Sequence, residues 1–434
     1  MSATKTDVTH QQKTSTTLLG TGVGNALEWF DWTIYATFAV YISQQLFDDS
    51  HPASAFLLTM AVFAVGFIAR PFGGFLFGWL ADRIGRKQSL TTAVMFASAG
   101  SLMIAVCPPY ASFGVLASAF LLLARLIQGL AHGGELPSAQ TYLAEQAPRK
   151  KRGLWASTIY ITGTIGIVAG ISLGLALNQA LNVEQMETWG WRIPFLLGGI
   201  FGLFALWMRS RMDESEIFEE EHDQIVAIKE NVVISVARNW RTALQVIGMT
   251  SGLTVAYYVW AVVMPSAAQN SFGYSANESF VATIIANLVF IIALPLWGWA
   301  SDYIGRKPTM LISLIGNAVM YLPLFWWMEQ SKSIMVLIIA VSIQLVLLAA
   351  FLGHAPATYA EMFTTDQRAS GFGIPYAIAI ACFGGTAGYI MAWMNNNTHF
   401  ALYSIVLLCI SAATVLTLPE TKGKYLDHDV AEES

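Results

Sequence analysis

Apolar runs and short polar breaks alternate along the whole chain. Runs near 18–45, 53–80, 89–107, 112–137, 153–178, 192–209, 241–268, 279–300, 309–328, 333–357, 370–394 and 398–418 are almost free of charge. Each reaches or approaches the roughly 20 residues that an α-helix needs to cross bilayer hydrocarbon. Glycines interrupt several runs, which a membrane helix tolerates where its neighbours pack closely. The pattern predicts an all-α membrane protein with twelve transmembrane helices.

Composition sharpens that reading. Of 434 residues, 55% are hydrophobic and only 12% charged, against about 25% charged in a soluble domain. The segment 1–17 is polar and carries no cleavable signal pattern, and the first apolar run is too long for a signal core. Cys107, Cys382 and Cys409 are scattered through apolar runs, so neither a disulfide framework nor a metal cluster is indicated. No nucleophile–base set and no nucleotide-binding loop is present, so an enzyme, a cofactor and a nucleic-acid partner are not expected. Placing both termini in the cytoplasm puts nineteen of the twenty-three basic residues on the inner side. The positive-inside rule therefore predicts a multi-pass protein of a bacterial-type inner membrane with cytoplasmic termini.

The sequence also repeats. Gly78-Trp-Leu-Ala-Asp82-Arg-Ile-Gly85-Arg-Lys87 matches Gly298-Trp-Ala-Ser-Asp302-Tyr-Ile-Gly305-Arg-Lys307, and Glu145 with Arg152 matches Glu361 with Arg368. The repeats flank the charged segment 210–240. This gives an N-terminal six-helix bundle at 1–209, a cytoplasmic linker at 210–240 and a C-terminal bundle with a short tail at 241–434. Two related bundles holding cargo between them near the midplane is a transporter architecture.

These residues resemble the major facilitator superfamily, whose loop signature is the Gly78–Lys87 segment; the second copy departs at Tyr303. Within the superfamily the chain resembles the metabolite:proton symporter group. The resemblance rests on Gly24-Asn25-x-x-Glu28-Trp29-Phe30-Asp31, Arg70-Pro71-x-Gly73-Gly74, Arg125-x-x-Gln128-Gly129 with Gly133-Gly134-Glu135, and Trp189–Phe195. It implies two pseudo-symmetric bundles and secondary active transport by alternating access. The ending Leu418-Pro419-Glu420-Thr421-Lys422-Gly423 is similar to the last-helix exit of sugar-type members. Osmosensing members carry a long C-terminal coiled coil, and the short stretch after Leu418 points away from that reading.

Ionised side chains inside spans cost several kcal/mol and usually mark a substrate or proton path. In span one, Asn25, Glu28, Asp31, Trp32 and Tyr35 are spaced to share a helical face. Arg125, Gln128, His132 and Glu135 share one in span four. Arg70 lies at mid-depth of span two, with Gly66 and Gly74 leaving room near it. Related transporters set a span-one carboxylate against a span-four Arg, which here means Asp31 or Glu28 with Arg125. Proton coupling is thus expected of Glu28, Asp31, Arg125 and Glu135. Substrate contact is expected of Arg70, Arg125, Gln128, Trp32, Tyr35, Tyr160, Tyr257 and Tyr376. Thr250, Thr254, Tyr258, Asn287 and Gln344 are further candidates for the cavity wall; His132 is read as a hydrogen-bonded spacer and His354 as packing near the Pro356 break. Asp82, Arg86, Glu145 and Arg152, mirrored by Asp302, Arg306, Glu361 and Arg368, are expected to gate the inner mouth.

The expected function is proton-coupled uptake of a small organic acid anion, a di- or tricarboxylate such as 2-oxoglutarate. The alternatives are a symporter for a zwitterionic osmolyte or amino acid and, further off, a non-transporting sensor. The expected partners are that small molecule, protons and the lipid bilayer, with the chain as a monomer.

Overall fold

A computed structural model of the protein describes residues 22–48, 50–84, 86–133, 143, 147–210, 240–363 and 373–424. Within these residues every apolar run is a helix, with ends displaced by a few residues. The helices are α1 (22–46, with a turn at Phe38), α2 (Pro52–Ile84), α3 (Arg86–Ala105), α4 (Val115–Ala131), α5 (Arg152–Ala180) and α6 (Ile193–Ser210). The second half holds α7 (Trp240–Phe272), α8 (Ala276–Ile304), α9 (Arg306–Ser331), α10 (Ile334–Met362), α11 (Gly373–Met394) and α12 (Asn397–Thr417). Eight of them are long and apolar enough to cross a membrane, and α3, α4 and α6 contain shorter apolar helices.

Polarity is inverted relative to a soluble core. Phe72, Phe75, Leu123, Phe201, Leu288, Ile292 and Ile410 are exposed, whereas Arg125, Gln128, Asn287, Asn317 and Gln344 are buried. Apolar side chains therefore face outward to lipid, and polar ones are enclosed where other helices can satisfy them.

Each half repeats one packing scheme. In the first, α2 packs on α4, and α3 on α4 and α6; in the second, α8 packs on α10, and α9 on α10 and α12. The seam between halves follows the same symmetry, with α5 against α8 and α2 against α11. Local chemistry fixes the turns between spans. Gly273, in a left-handed conformation at φ +74°, ends α7. Ser275 and Glu278 then form a reciprocal capping box that starts α8.

Glycine sets the close helix crossings. The α2–α4 pair meets backbone to backbone: Gly73 abuts Leu130, Gly129 abuts Gly66, and Gly133 abuts the Arg70 carbonyl. Gly66 and Gly74 thus do not clear space for the Arg70 guanidinium, contrary to the sequence expectation. A Cβ at Gly66 would meet Trp32, and one at Gly74 the Gly133 carbonyl. Small residues are placed here because only they let two helix backbones touch.

Gly129→Ala should lower the stability of the first bundle by about 1–3 kcal/mol through overpacking, while the exposed Leu123→Ala moves it little. Thermal unfolding in detergent measures both, and equal midpoints would show that the crossing has slack.

Candidate functional site

One end of the seam is closed by charge. At the start of α5, the Gly153 and Leu154 amides donate to the two carboxylate oxygens of Asp302, at 2.9 and 3.0 Å. Asp302 therefore caps a helix of the opposite half, where free amides and the positive helix end favour an anion. Asp302 also accepts from Arg306 at 2.8 Å. Glu361 at the end of α10 accepts from Arg306, at 3.3 Å, and from Arg152 of the other half, at 3.2 Å. Backbones are close here as well: a Cβ at Gly298 would lie 2.7 Å from the Gly153 carbonyl oxygen and 2.9 Å from that of Gly353.

The segment after α12 completes this lattice. Thr421 donates to Glu361 at 3.0 Å. Glu420 accepts from the Arg306 and Lys307 amides at 2.9 and 3.1 Å, capping α9. Gly305, at φ +115°, admits this contact because a Cβ would lie 2.6 Å from the Glu420 carboxylate. Arg149 and Arg152 of the first half reach the carbonyls of Gly423 and Lys424. Arg152, Asp302, Arg306 and Glu361, the second-half gating set with its partner from the first half, are thus brought together. Glu145 and Arg368 lie outside the described residues, as does Glu135 of the coupling set. Asp82 and Arg86 fall in α2 and α3, with side chains outside the described ones.

Beyond the lattice lies a small cavity between the halves. Trp29 and Tyr160 line it from the first half; Thr250, Leu253, Thr254, Tyr257, Tyr258, Leu352, Tyr359, Tyr376 and Ile380 line it from the second. Aromatic edges join across the seam: Trp29 to Tyr257 at 5.4 Å and Tyr160 to Tyr257 at 5.8 Å between ring centroids. The Tyr160 and Tyr376 hydroxyls meet at 3.3 Å, and Thr250 meets the Tyr359 hydroxyl at 3.0 Å. Tyr257 is buried with its hydroxyl unpartnered. Two cavity-lining helices of the second half carry π-helical turns, Tyr258–Val263 in α7 and Ile380–Gly384 in α11. Such turns bring extra residues into a wall and cluster at functional sites.

Phe67 packs edge-on against Tyr258 at 5.0 Å. A Cβ at Gly385 would touch Phe67, and one at Gly388 would lie 3.0 Å from the Met60 sulfur. This apolar contact closes the seam where α2 meets α11.

The buried charges of the first half divide into two systems. Arg70 pairs directly with Glu28. It lies 5.1 Å from the Trp32 ring centre and 5.3 Å from that of Phe67, and interacts with Tyr258 of the cavity wall. Arg125 instead lies 4.3 Å from the ring centres of both Trp32 and Tyr35. Its guanidinium donates to Gln128 at 2.9 Å, Gln128 donates to Ser101 at 2.7 Å, and Ser101 donates to Asp31 at 3.4 Å. His132 stands 3.9 Å from the other Asp31 oxygen.

The span-one face therefore splits. Glu28 and Trp32 turn toward Arg70 and α2, while Asp31 turns to Ser101 of α3 and to Gly198 of α6. Neither acid is in direct contact with Arg125; the link to Asp31 runs through two neutral side chains.

Of the residues expected to touch substrate, Tyr160, Tyr257 and Tyr376 line the cavity, and Arg70 stands beside it. Arg125, Gln128, Trp32 and Tyr35 are buried behind it in the first bundle. Asn287 and Gln344 are buried inside the second bundle and are not part of the lining. His354 bridges Thr309 and Thr358 through its two ring nitrogens, at 2.9 and 2.8 Å. Sequence reasoning passed over Trp29 and Tyr359 as lining residues. Trp29 was visible as the neighbour of Glu28 in a motif, but Tyr359 differs in no way from a packing aromatic.

The sugar (and other) transporter family description matches residues 18–229 and again 208–429, which together span nearly the whole chain. This chain belongs to that transporter family, within the major facilitator superfamily. The alpha-ketoglutarate permease of Escherichia coli is 34% identical over 411 residues, 94% of each chain. A putative proline/betaine transporter of Staphylococcus haemolyticus is 31% identical over 96% of this chain and 90% of its own. The Salmonella typhimurium proline/betaine transporter is 28% identical over 93% and 83%. Among solved structures, the partially occluded inward-open xylose transporter of E. coli has the same fold, with a TM-score of 0.73 over 94% of this chain and 98% of its own, at 19% identity. The protein is therefore a multi-pass membrane transporter and not an enzyme.

Replacing Glu361 by Ala leaves two buried guanidiniums short of their shared anion, a loss of about 3–5 kcal/mol to the closed seam. Thiol labelling of a Ser157→Cys reporter, with the exposed Cys382 and Cys409 replaced by serine, should accelerate roughly tenfold or more. Unchanged labelling would show that Glu361 does not hold this seam shut.

Proposed function

We propose that the protein couples proton entry to uptake of a small carboxylate-bearing metabolite, with organic acid anions as the first substrate class. One observation carries the reading: the Glu28–Arg70 pair is buried beside a cavity that lies between the two halves. A guanidinium keeps its proton and presents a planar fork that suits a carboxylate, whereas a carboxylic acid can gain and lose one. The pair thus supplies an anion receptor and a proton carrier in direct contact. The 34% identical alpha-ketoglutarate permease supports the organic-acid class.

A second reading has its own support. The cavity wall holds Trp29, Tyr160, Tyr257, Tyr258, Tyr359 and Tyr376, and aromatic faces attract alkylated ammonium groups. A zwitterion would set its carboxylate toward Arg70 and its cationic end among these rings. The proline/betaine transporters in the same identity range support this class.

In either case the lattice end is assigned to the cytoplasm, because the basic loops gather there. Alternating access then opens the charged lattice on the inner side and the Phe67–Tyr258–Gly385 contact on the outer side, in turn. The proton gradient drives the cycle, no bound cofactor takes part, and a monomer contains all the parts. Asp31 and Arg125 belong to the proton-responsive interior of the first half, and Glu135 keeps the coupling role that the sequence motif suggests for it.

Purified protein in proteoliposomes, with an inward proton gradient, separates the readings. Labelled 2-oxoglutarate is expected to accumulate, and unlabelled organic acids should compete better than glycine betaine or proline. The reverse order of competition would establish the zwitterion class. Accumulation of none of them, with or without the gradient, would refute the proton-coupled reading.

A further inference from the structure

We propose that Glu28 and the carboxylate of the cargo compete for one guanidinium, Arg70, and that Glu28 takes up one proton each time the cargo displaces it. The inference rests on the function proposed above and assigns the coupling step to one pair among the buried ions.

The geometry separates this pair from the other candidates. Among the described residues, the cavity lining holds no charged side chain. Arg70 is the guanidinium that reaches it, through Tyr258 on the far side of the seam. Arg125 is enclosed by Trp32 and Tyr35 and donates to Gln128; cargo in the cavity meets Trp29 and Tyr258 before it meets Arg125. Asp31 lies behind the same wall, on Ser101.

The charge balance favours the exchange. Arg70 is buried and keeps its proton, and the partner it holds is a carboxylate. With Glu28 ionised, the protein itself balances the charge. A cargo carboxylate brought to the same guanidinium would set two anions against one cation in a poorly hydrated site, and the excess charge is costly. One added proton removes it: Glu28 goes from carboxylate to neutral acid, and the cargo takes the ion pair. Proton and cargo then assist each other's binding by the same factor, which linkage requires.

The other ionisable groups around the pair are fixed in role. Tyr258 and Tyr376 face Arg70 from the second half, Arg125 and His132 approach it from α4, and Asp31 lies one turn along α1. Of these, Tyr258 also meets Arg70 and lines the cavity, but it is a phenol; among the described residues Glu28 is the carboxylate in direct contact with Arg70, and it stands next to the cavity-lining Trp29.

The test uses the full chain in proteoliposomes with two labelled probes, 2-oxoglutarate and glycine betaine. Glu28→Gln mimics the protonated state permanently. It is expected to exchange the transported probe across the membrane independently of pH, and to lose gradient-driven accumulation by about tenfold or more. Glu28→Asp keeps a titratable group and should retain gradient-driven accumulation. In lightly buffered detergent solution, probe binding should draw one proton per molecule from the medium in the wild type and none in Glu28→Gln.

Gradient-driven accumulation by Glu28→Gln, or undiminished proton uptake on probe binding, would overturn the assignment. So would a folded Glu28→Gln protein that loses exchange as completely as accumulation. If Glu28→Gln fails to fold, loss of accumulation in a folded Glu28→Asp protein would overturn it as well. A wild type that carries neither probe would refute the proposed function itself, and this inference with it.

Discussion

A guanidinium inside a membrane protein needs a counter-charge or an equivalent, because it cannot become neutral and hydrocarbon cannot solvate it. Much of the interior is arranged around that need. Arg70 is met by a carboxylate of its own half. Arg125 is met by two aromatic faces and an amide oxygen. Arg152 and Arg306 share the Glu361 carboxylate. The three solutions differ in what can undo them. A proton or another anion undoes the first, little undoes the second, and separation of the halves undoes the third.

The contrast between the inside of each half and the seam follows the same logic. Within the first half, α2 and α4 touch through glycine backbones, an arrangement with no side chains to rearrange and no intermediate geometry. Across the seam, apart from the close Gly153 and Gly298 backbones, the contacts are tips: aromatic edges, hydroxyl pairs and the carboxylate of Asp302 on the amides of α5. Tip contacts break one by one and can be replaced by water at the mouth of an opening cleft. Rigid bundles with a breakable seam are what a rocking motion about a central site demands.

The positions of the twelve helices and four residues of the charged lattice, Arg152, Asp302, Arg306 and Glu361, were legible in the sequence, because hydropathy and a repeated loop report on them directly; the share of Glu420 and Thr421 was not. Lipid forces every span to be apolar over a fixed length, so the runs could hardly mislead. Which buried acid meets which Arg was not legible. Glu28 and Asp31 are three residues apart, about 300° around a helix, and spacing alone leaves both near one face. The neighbours decide: Ser101 and Gly198 receive Asp31, while Arg70 receives Glu28. The glycines of α2 were misleading for a related reason. They suggested space near Arg70, whereas the space they leave is taken by Trp32 and the backbone of α4. Tyr359 was hidden because an aromatic residue in an apolar helix carries no mark of the surface it faces.

The two halves share a backbone plan but not a charge plan. Gln344 stands 216 residues after Gln128, the offset of the second repeat, and the position matching Arg125 is Val341. Gln344 is fully buried with both amide atoms unpartnered by protein groups, whereas Gln128 joins Arg125 to Ser101. Among the described residues, the buried ions of the second half are those of the lattice, Asp302, Arg306 and Glu361, and none of them lines the cavity. What the second half turns to the cavity is a wall of tyrosine and threonine hydroxyls with Leu253, Leu352 and Ile380. The first half thus sets a buried ion pair beside the cavity, and the second half sets uncharged side chains around it, so the two faces of the site differ in chemistry.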